Sequence, residues 1–241
     1  MSFIEHLEEL RSRIIRVLVI LVFAFAVCYH FSSEISQFLL QPLRVALGST
    51  GKVVFTGLLD KMIVELQISF WASIILSSPL WFREVWLFLR PALYDQEARA
   101  VFPFIFVGFV LFVLGVCFGY YVVFPLTFET FLTAGVGDVE AMMNLKDYLI
   151  LAIQMLVLLG LLFQLPNIML ILGFMGIVTK YSLRNMRRYL SVAFAVFAAV
   201  VTPADVLSML CVWIPMMILY EIGIIAVALV VHPYLHRRTM E

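Results

Sequence analysis

Carboxylates and arginines alternate in the N-terminal segment of a chain that is otherwise strongly apolar. Glu9 and Arg13 are four residues apart, and Arg11 lies between them. At helical spacing, Glu9 and Arg13 form an ordinary ion pair worth only ~0.3–0.5 kcal/mol. A carboxylate can also accept the forked N–H groups of a guanidinium from another molecule. From the spacing alone, the segment is an interfacial helix with a solvated ion pair.

A second cluster lies between Phe88 and Glu97. Pro91 stops the preceding apolar stretch, and Tyr94 stands between it and the carboxylate of Glu97. The simplest interpretation is a solvated loop. Glu97 is nevertheless a second candidate site carboxylate.

Further polar residues that interrupt apolar stretches are Glu65, Gln154, Gln164, Asn167 and Glu221. Polar groups are costly inside a bilayer, so each is a candidate functional residue. The alternative is that they hydrogen-bond neighbouring helices together. Gln164 and Asn167 are three residues apart around Pro166, which predicts that they share one helix face.

Signatures of ordinary catalysis are missing from the sequence. It contains no GxxxxGK[ST], HExxH or GxSxG motif, and its four histidines show no ligand spacing. The three cysteines, Cys28, Cys117 and Cys211, lie in apolar stretches and are expected to be free thiols. We expect neither an enzyme nor a metal or cofactor.

The composition of the chain indicates that membrane-spanning helices carry these residues. Hydrophobic residues make up 64% of the chain and charged residues 13%, against ~25% charged in soluble domains. The 241 residues suit a single transmembrane domain over 1–241. Six apolar stretches predict an all-α polytopic membrane protein with six transmembrane helices: Ile14–Phe31, Met62–Phe88, Val101–Leu132, Tyr148–Met175, Tyr189–Val201 and Val206–Val231.

The distribution of basic residues predicts the orientation. Twelve of the sixteen Lys and Arg residues lie in the N-terminal segment, the second and fourth loops and the tail. By the positive-inside rule, both termini are cytoplasmic, including the amphipathic segment 1–13 and the tail 232–241. The formal net charge is +0, so nothing indicates a nucleic-acid partner. The lipid bilayer is the expected surrounding.

The fifth stretch, Tyr189–Val201, is short for a span. Several prolines lie within or near the ends of the apolar stretches, where they kink helices. They are Pro79, Pro103, Pro125, Pro166 and Pro215. A kinked bundle with a concave face is therefore predicted.

Several motifs together resemble the TatC family, the signal-peptide receptor subunit of the twin-arginine protein translocase. They are His6-Leu-x-Glu-Leu-Arg11, Phe88-x-x-Pro-Ala-Leu-Tyr94 followed by Glu97, Pro42 in the first outer loop, Thr202-Pro-x-Asp205 and Tyr220-Glu-Ile-Gly223. The resemblance covers nearly the whole chain. It implies a receptor in the inner membrane of a prokaryote that binds twin-arginine signal peptides of folded precursors. It also implies a hetero-oligomer of several copies with the single-span subunits TatA and TatB, and transport driven by the proton motive force.

The resemblance also implies roles for individual residues. Glu9 and Glu97 bind the arginine pair of the signal peptide. The other residues of this site are Arg11, Phe88, Pro91 and Tyr94. Thr202, Asp205 and Met209 contact a partner subunit.

Three positions depart from the family pattern. Gln164 stands where a glutamate is usual, so a titrating role there is in doubt. Met209 replaces a residue that is often polar, and Glu97-Ala-Arg99 replaces the commoner Glu-Arg-Arg. We therefore expect a docking site for the single-span subunit that is less polar than usual, and a slightly weaker basic surround of Glu97.

Two other classes of protein account for part of the pattern. A secondary transporter or channel for a small solute suits kinked helices with buried glutamates, but it predicts internal repeats that the sequence does not show. A membrane-embedded enzyme needs a nucleophile, base or metal ligands facing one cavity, and none is evident.

Overall fold

The computed structural model describes residues 3–47, 52–54, 57–89, 101–127, 142–202 and 206–231, and these are almost entirely helical. In chain order the elements are α1 (Phe3–His30), α2 (Ser32–Leu47), β1 (Lys52–Val54), α3 (Asp60–Leu76), α4 (Ser78–Leu89), α5 (Val101–Phe118), a π-helical turn (Gly119–Val123), β2 (Met142–Asn144), α6 (Leu145–Leu162), α7 (Leu165–Phe174), α8 (Lys180–Val201), α9 (Val206–Ala226) and a second π-helical turn (Val227–Val231).

Each predicted apolar stretch contains helix, but the number of spans is less regular than expected. Within the described ranges, four helical segments are long and apolar enough to cross a membrane, and the bent pair α3 and α4 makes a fifth. The short stretch after Tyr189 lies in α8, which begins nine residues earlier with a charged half that carries Lys180 and Arg184. A six-span topology with both termini cytoplasmic stays a prediction.

The prolines expected to kink helices differ in their effects. The axes of α3 and α4 differ by 57°, because Pro79 cannot donate a backbone hydrogen bond just after the break at Ser77. The indole N–H of Trp81 donates to the Ile74 carbonyl at this break at 2.9 Å. A π-helical turn ends two residues before Pro125, and Pro166 lies in the first turn of α7. Pro103 lies in the first turn of α5, and Pro215 lies inside α9 without interrupting it.

The core forms around α6, which packs against α3 and α5, while α1 covers α3 and α4, and α9 packs against α7 and α8. Met155 and Leu159 of α6 are almost completely buried. The hydroxyl of Tyr148 donates to the Leu39 carbonyl at 2.8 Å and thereby ties α2 to α6. Pro42 lies inside α2, a helix in the segment predicted as the first outer loop. Burial of Leu39 and Leu43 on one face of α2 explains the helix.

A two-stranded parallel sheet and a nearby ion pair were not predicted from the sequence. Strands β1 and β2 pair in parallel, with Lys52 opposite Met142 and Val54 opposite Asn144. Close by, Lys146 Nζ lies 3.0 Å from Asp60 Oδ1. These contacts join the segment before α3 to the segment before α6.

The topology predicts how inserted cysteines react. Cysteines at Lys52 or Asp138 should react with an impermeant thiol reagent from outside the cell, and cysteines at Asp95 or Asn185 should not. Asp138 and Asp95 lie outside the described residues. The measurement is labelling of intact cells against permeabilised cells, and reversed labelling would overturn the orientation.

Candidate functional site

The predicted ion pair of the N-terminal segment is present. Arg13 Nη2 donates to Glu9 Oε1 at 3.0 Å, across one turn of α1. The side chain of Glu9 is 23% exposed and that of Arg13 is 18% exposed. The pair is therefore partly shielded from water, and its carboxylate still reaches the surface.

A third member of this cluster, Glu84, was not predicted from the sequence. Arg13 Nη1 donates to Glu84 Oε2 at 2.9 Å, so one guanidinium joins carboxylates from α1 and α4. The Glu84 side chain is only 6% exposed. Arg16 and Arg83 each place a nitrogen 3.6 Å from a Glu84 oxygen. The signal for Glu84 was its position as a carboxylate within the apolar stretch 62–88, which marks an intramembrane residue as a functional candidate.

Only some of the other predicted site residues lie within the described ranges. Arg11 is exposed on α1, and Phe88 is half-buried near the end of α4. Pro91, Tyr94 and Glu97 lie outside the described residues. The structure therefore brings Glu9 and Glu84 together, while the relation of Glu9 to Glu97 stays a prediction.

Three adjoining apolar cavities lie along α1. A cavity of about 520 Å³ runs from Ile15 to Ala26. It shares Val19 and Phe23 with a second cavity of about 440 Å³. The second cavity shares Val27 and Leu76 with a third of about 500 Å³, which extends to α2, α5 and α6. Together the three cavities are termed the apolar groove.

The amides inside the bundle are buried and hydrogen-bonded. Gln164 Nε2 donates to the Gly108 carbonyl of α5 at 2.9 Å. Asn167 Nδ2 donates to Gln164 Oε1 at 3.3 Å. Within the described part of the chain, Asn167 Oδ1 has no hydrogen-bond partner. These contacts support the interpretation of the amides as links between helices.

This geometry predicts the effect of changing Gln164. Gln164→Leu leaves the buried Gly108 carbonyl without its donor, which should lower the free energy of unfolding by about 1–2 kcal/mol and weaken assembly or late transport steps. Gln164→Glu should preserve transport at neutral pH, because burial keeps the new carboxyl neutral and able to donate. Denaturant unfolding in detergent and a transport assay measure both. Full stability and activity of Gln164→Leu would show that the position is simple packing.

The two glutamates that the sequence analysis singled out inside apolar stretches, Glu65 and Glu221, are ion-paired. Glu65 lies 3.8 Å from Lys61 on the same helix. Glu221 of α9 pairs with Arg187 of α8. Beside this second pair, the Tyr220 hydroxyl donates to the Leu183 carbonyl at 2.6 Å. These partners reduce the cost of placing carboxylates in apolar stretches and join α8 to α9.

The predicted partner contacts lie near the junction of α8 and α9. Thr202 caps α8 and donates its hydroxyl proton to the Ala198 carbonyl at 2.8 Å. Met209 is half-buried and packs against the core. Asp205 lies outside the described residues. Exposed apolar side chains continue outward from this junction, at Val196 and Val200 of α8 and at Val206 and Leu210 of α9.

The described ranges contain no group of three or more His, Cys, Asp or Glu residues that could hold a metal ion. The three cysteines are unpaired: Cys28 is buried, Cys117 is exposed and Cys211 is intermediate.

These features define the class of protein: a helical, multi-pass membrane protein with a cluster of carboxylates and guanidiniums on α1 and α4 and an apolar groove along α1. Comparison with known proteins then identifies the family. The sequence profile described as Sec-independent protein translocase protein (TatC) matches residues 5–215.

Relatives and solved structures agree. A protein of Desulforapulum autotrophicum named Sec-independent protein translocase protein TatC is 38% identical over 223 residues, which are 92% of this chain and 83% of the relative. A protein of the same name from Koribacter versatilis is 37% identical over 245 residues, which cover 100% of this chain and 90% of the relative. A crystal structure of the twin-arginine translocase receptor TatC has a TM-score of 0.82 at 27% identity, and the match covers 93% of this chain and 98% of that one.

The chain belongs to the TatC family. The predicted resemblance and the all-α membrane fold are thereby confirmed. The protein is a component of a Sec-independent protein translocase and a multi-pass protein of a prokaryotic inner membrane.

Proposed function

We propose that this chain is the core receptor of the twin-arginine translocation system. It binds the twin-arginine signal peptides of folded precursor proteins at its cytoplasmic face. It then nucleates assembly of the export complex with several copies of TatA- and TatB-type single-span subunits. Its role is binding and assembly rather than catalysis.

One observation carries this proposal: a guanidinium is already held between carboxylates of α1 and α4. Arg13 donates to both Glu9 and Glu84 at 3.0 and 2.9 Å. The local surroundings are thus suited to a planar, forked cation. The arginine pair of a signal peptide would use the same chemistry at Glu9 and, from the neighbouring loop, at Glu97.

The groove supplies the second half of the proposal. The groove follows α1, the helix that also carries Glu9. A signal peptide that places its arginines at Glu9 would lay its apolar segment along the same helix. Burial of that segment adds affinity at roughly 25 cal/mol per Å² of apolar area, while the carboxylates discriminate between arginine and lysine.

Partner subunits are expected to dock at the exposed apolar faces of α8 and α9. Thr202, Asp205 and Met209 mark this surface by family resemblance. A small-solute transporter gains no support from the described residues, because Glu65 and Glu221 are ion-paired and the groove is lined by apolar side chains.

The proposal is tested by peptide binding to the purified protein in detergent at fixed salt. A signal peptide with Arg-Arg should bind at least about tenfold more tightly than the same peptide with Lys-Lys, which corresponds to ~1.4 kcal/mol. An Arg-Arg peptide with an aspartate inside its apolar segment should lose affinity, because the charge must be desolvated in the groove. Equal binding of the Arg-Arg and Lys-Lys peptides would refute the proposal.

A further inference from the structure

Arg13 occupies the position that an incoming arginine needs. Its two terminal nitrogens are used by two carboxylates from different helices, Glu9 of α1 and Glu84 of α4. The two carboxylates are unequal: the Glu9 side chain is 23% exposed and the Glu84 side chain 6% exposed. A ligand from outside can therefore reach Glu9 far more easily than Glu84.

We propose that Arg13 is a specificity-determining residue that competes with the signal peptide for Glu9. This inference rests on the proposed function, in which Glu9 accepts an arginine of the signal. In the free receptor Arg13 holds Glu9, and a bound signal peptide takes Glu9 from it.

Glu84 lowers the free-energy cost of this exchange. When Arg13 gives up Glu9, it keeps its 2.9 Å hydrogen bond to Glu84 and is not left unpaired. Arg16 and Arg83 also lie 3.6 Å from Glu84 oxygens, so this buried carboxylate stays compensated throughout.

The exchange favours arginine over lysine. A guanidinium that replaces another guanidinium at Glu9 restores a charge-assisted contact of the same kind. An ammonium is a compact, strongly hydrated charge and does not reproduce the planar fork, so it displaces Arg13 less readily. Competition by Arg13 therefore lowers the affinity for a Lys-Lys signal more than the affinity for an Arg-Arg signal.

The test measures Arg-Arg and Lys-Lys peptide affinities for the full chain carrying Arg13→Gln or Arg13→Lys. Arg13→Gln should raise the affinity for Lys-Lys by roughly two- to tenfold and that for Arg-Arg by less, so the preference for arginine shrinks. Arg13→Lys keeps the charge and loses the fork, and it should shift both affinities in the same direction by a smaller factor. Thermal unfolding in detergent checks folding. If Arg13→Gln does not fold, Arg13→Lys carries the test.

Two controls separate this competition from general electrostatics. Arg16→Gln removes the same charge one turn further along α1, where the side chain is 56% exposed and lies 3.6 Å from Glu84. It should raise both affinities equally and preserve the arginine preference. In a Glu9→Gln background, Arg13→Gln should have no further effect on that preference, because Arg13 acts through Glu9.

Three outcomes would overturn the inference. A fall in Arg-Arg affinity in Arg13→Gln would show that Arg13 positions Glu9 instead of competing for it. Unchanged affinities would show that the ion pair has no role in recognition. An Arg16→Gln variant that matches Arg13→Gln would reduce the effect to net charge. Failure of the proposed function looks different, since Arg-Arg binding would then be unchanged in Glu9→Gln itself.

Discussion

Glu9→Gln and Glu97→Gln are each expected to weaken the binding of an Arg-Arg signal peptide by roughly tenfold or more. Charge-assisted hydrogen bonds to a guanidinium are worth ~1.5–3 kcal/mol each, whereas an ordinary exposed ion pair is worth ~0–1 kcal/mol. Because ~1.4 kcal/mol is a factor of ten, the two interpretations of these carboxylates predict clearly different affinities. The measurement is signal-peptide affinity in detergent at fixed salt for both single variants and the double variant.

Each variant has a matched control in the chain. Glu8 is an exposed carboxylate next to Glu9, and Asp95 is a second carboxylate in the loop that carries Glu97. Glu8→Gln and Asp95→Asn remove the same charge and should change Arg-Arg affinity by less than about threefold. With a Lys-Lys peptide, all the variants should bind about as weakly as the wild type. If neither Glu9→Gln nor Glu97→Gln loses even twofold while the protein stays folded, the carboxylates are solvated surface.

Gly115→Ala is expected to destabilise the fold by about 3 kcal/mol. A Cβ atom at this position would lie 2.7 Å from the Leu159 carbonyl oxygen and 2.8 Å from Gly160 Cα. Both are backbone atoms of α6, so α5 and α6 would have to move apart. Overpacking typically costs about 1–3 kcal/mol, and rigid backbone neighbours place this site at the upper end. The measurement is denaturant unfolding in detergent.

Gly119→Ala is the matched control for this prediction. Its Cβ would meet Leu159 Cδ1 at 2.8 Å and Leu156 Cδ2 at 2.9 Å, which are the ends of side chains that can rotate away. We expect a cost of about 1 kcal/mol or less, partly offset by the better helix propensity of alanine. Equal stability of the two variants would show that the contact between α5 and α6 adapts more freely than its geometry indicates.

Several features of the fold and site follow from the sequence alone. The six apolar stretches predicted helices because their length and composition match membrane spans, and each of them contains helix. The pair of Glu9 and Arg13 also follows, since residues four apart on a helix are neighbours whatever surrounds them. The ordered motifs around Glu9, Phe88 and Thr202 are sufficient to indicate the family, because their residue types and their order along the chain are specific to it.

Only the tertiary structure decided which distant groups meet. Arg13 and Glu84 are 71 residues apart, and no periodicity relates α1 to α4, so nothing in the sequence predicts their contact. The hydrogen bond from Gln164 to the Gly108 carbonyl and the pairing of β1 with β2 are long-range in the same way. Local spacing determines which side chains share a helix face, whereas bends such as the 57° turn at Ser77 determine which faces are brought together. The groove along α1 and the placement of Arg13 between two carboxylates depend on that packing, and this is why the sequence predicted an arginine-binding surface but not the internal arginine that already occupies it.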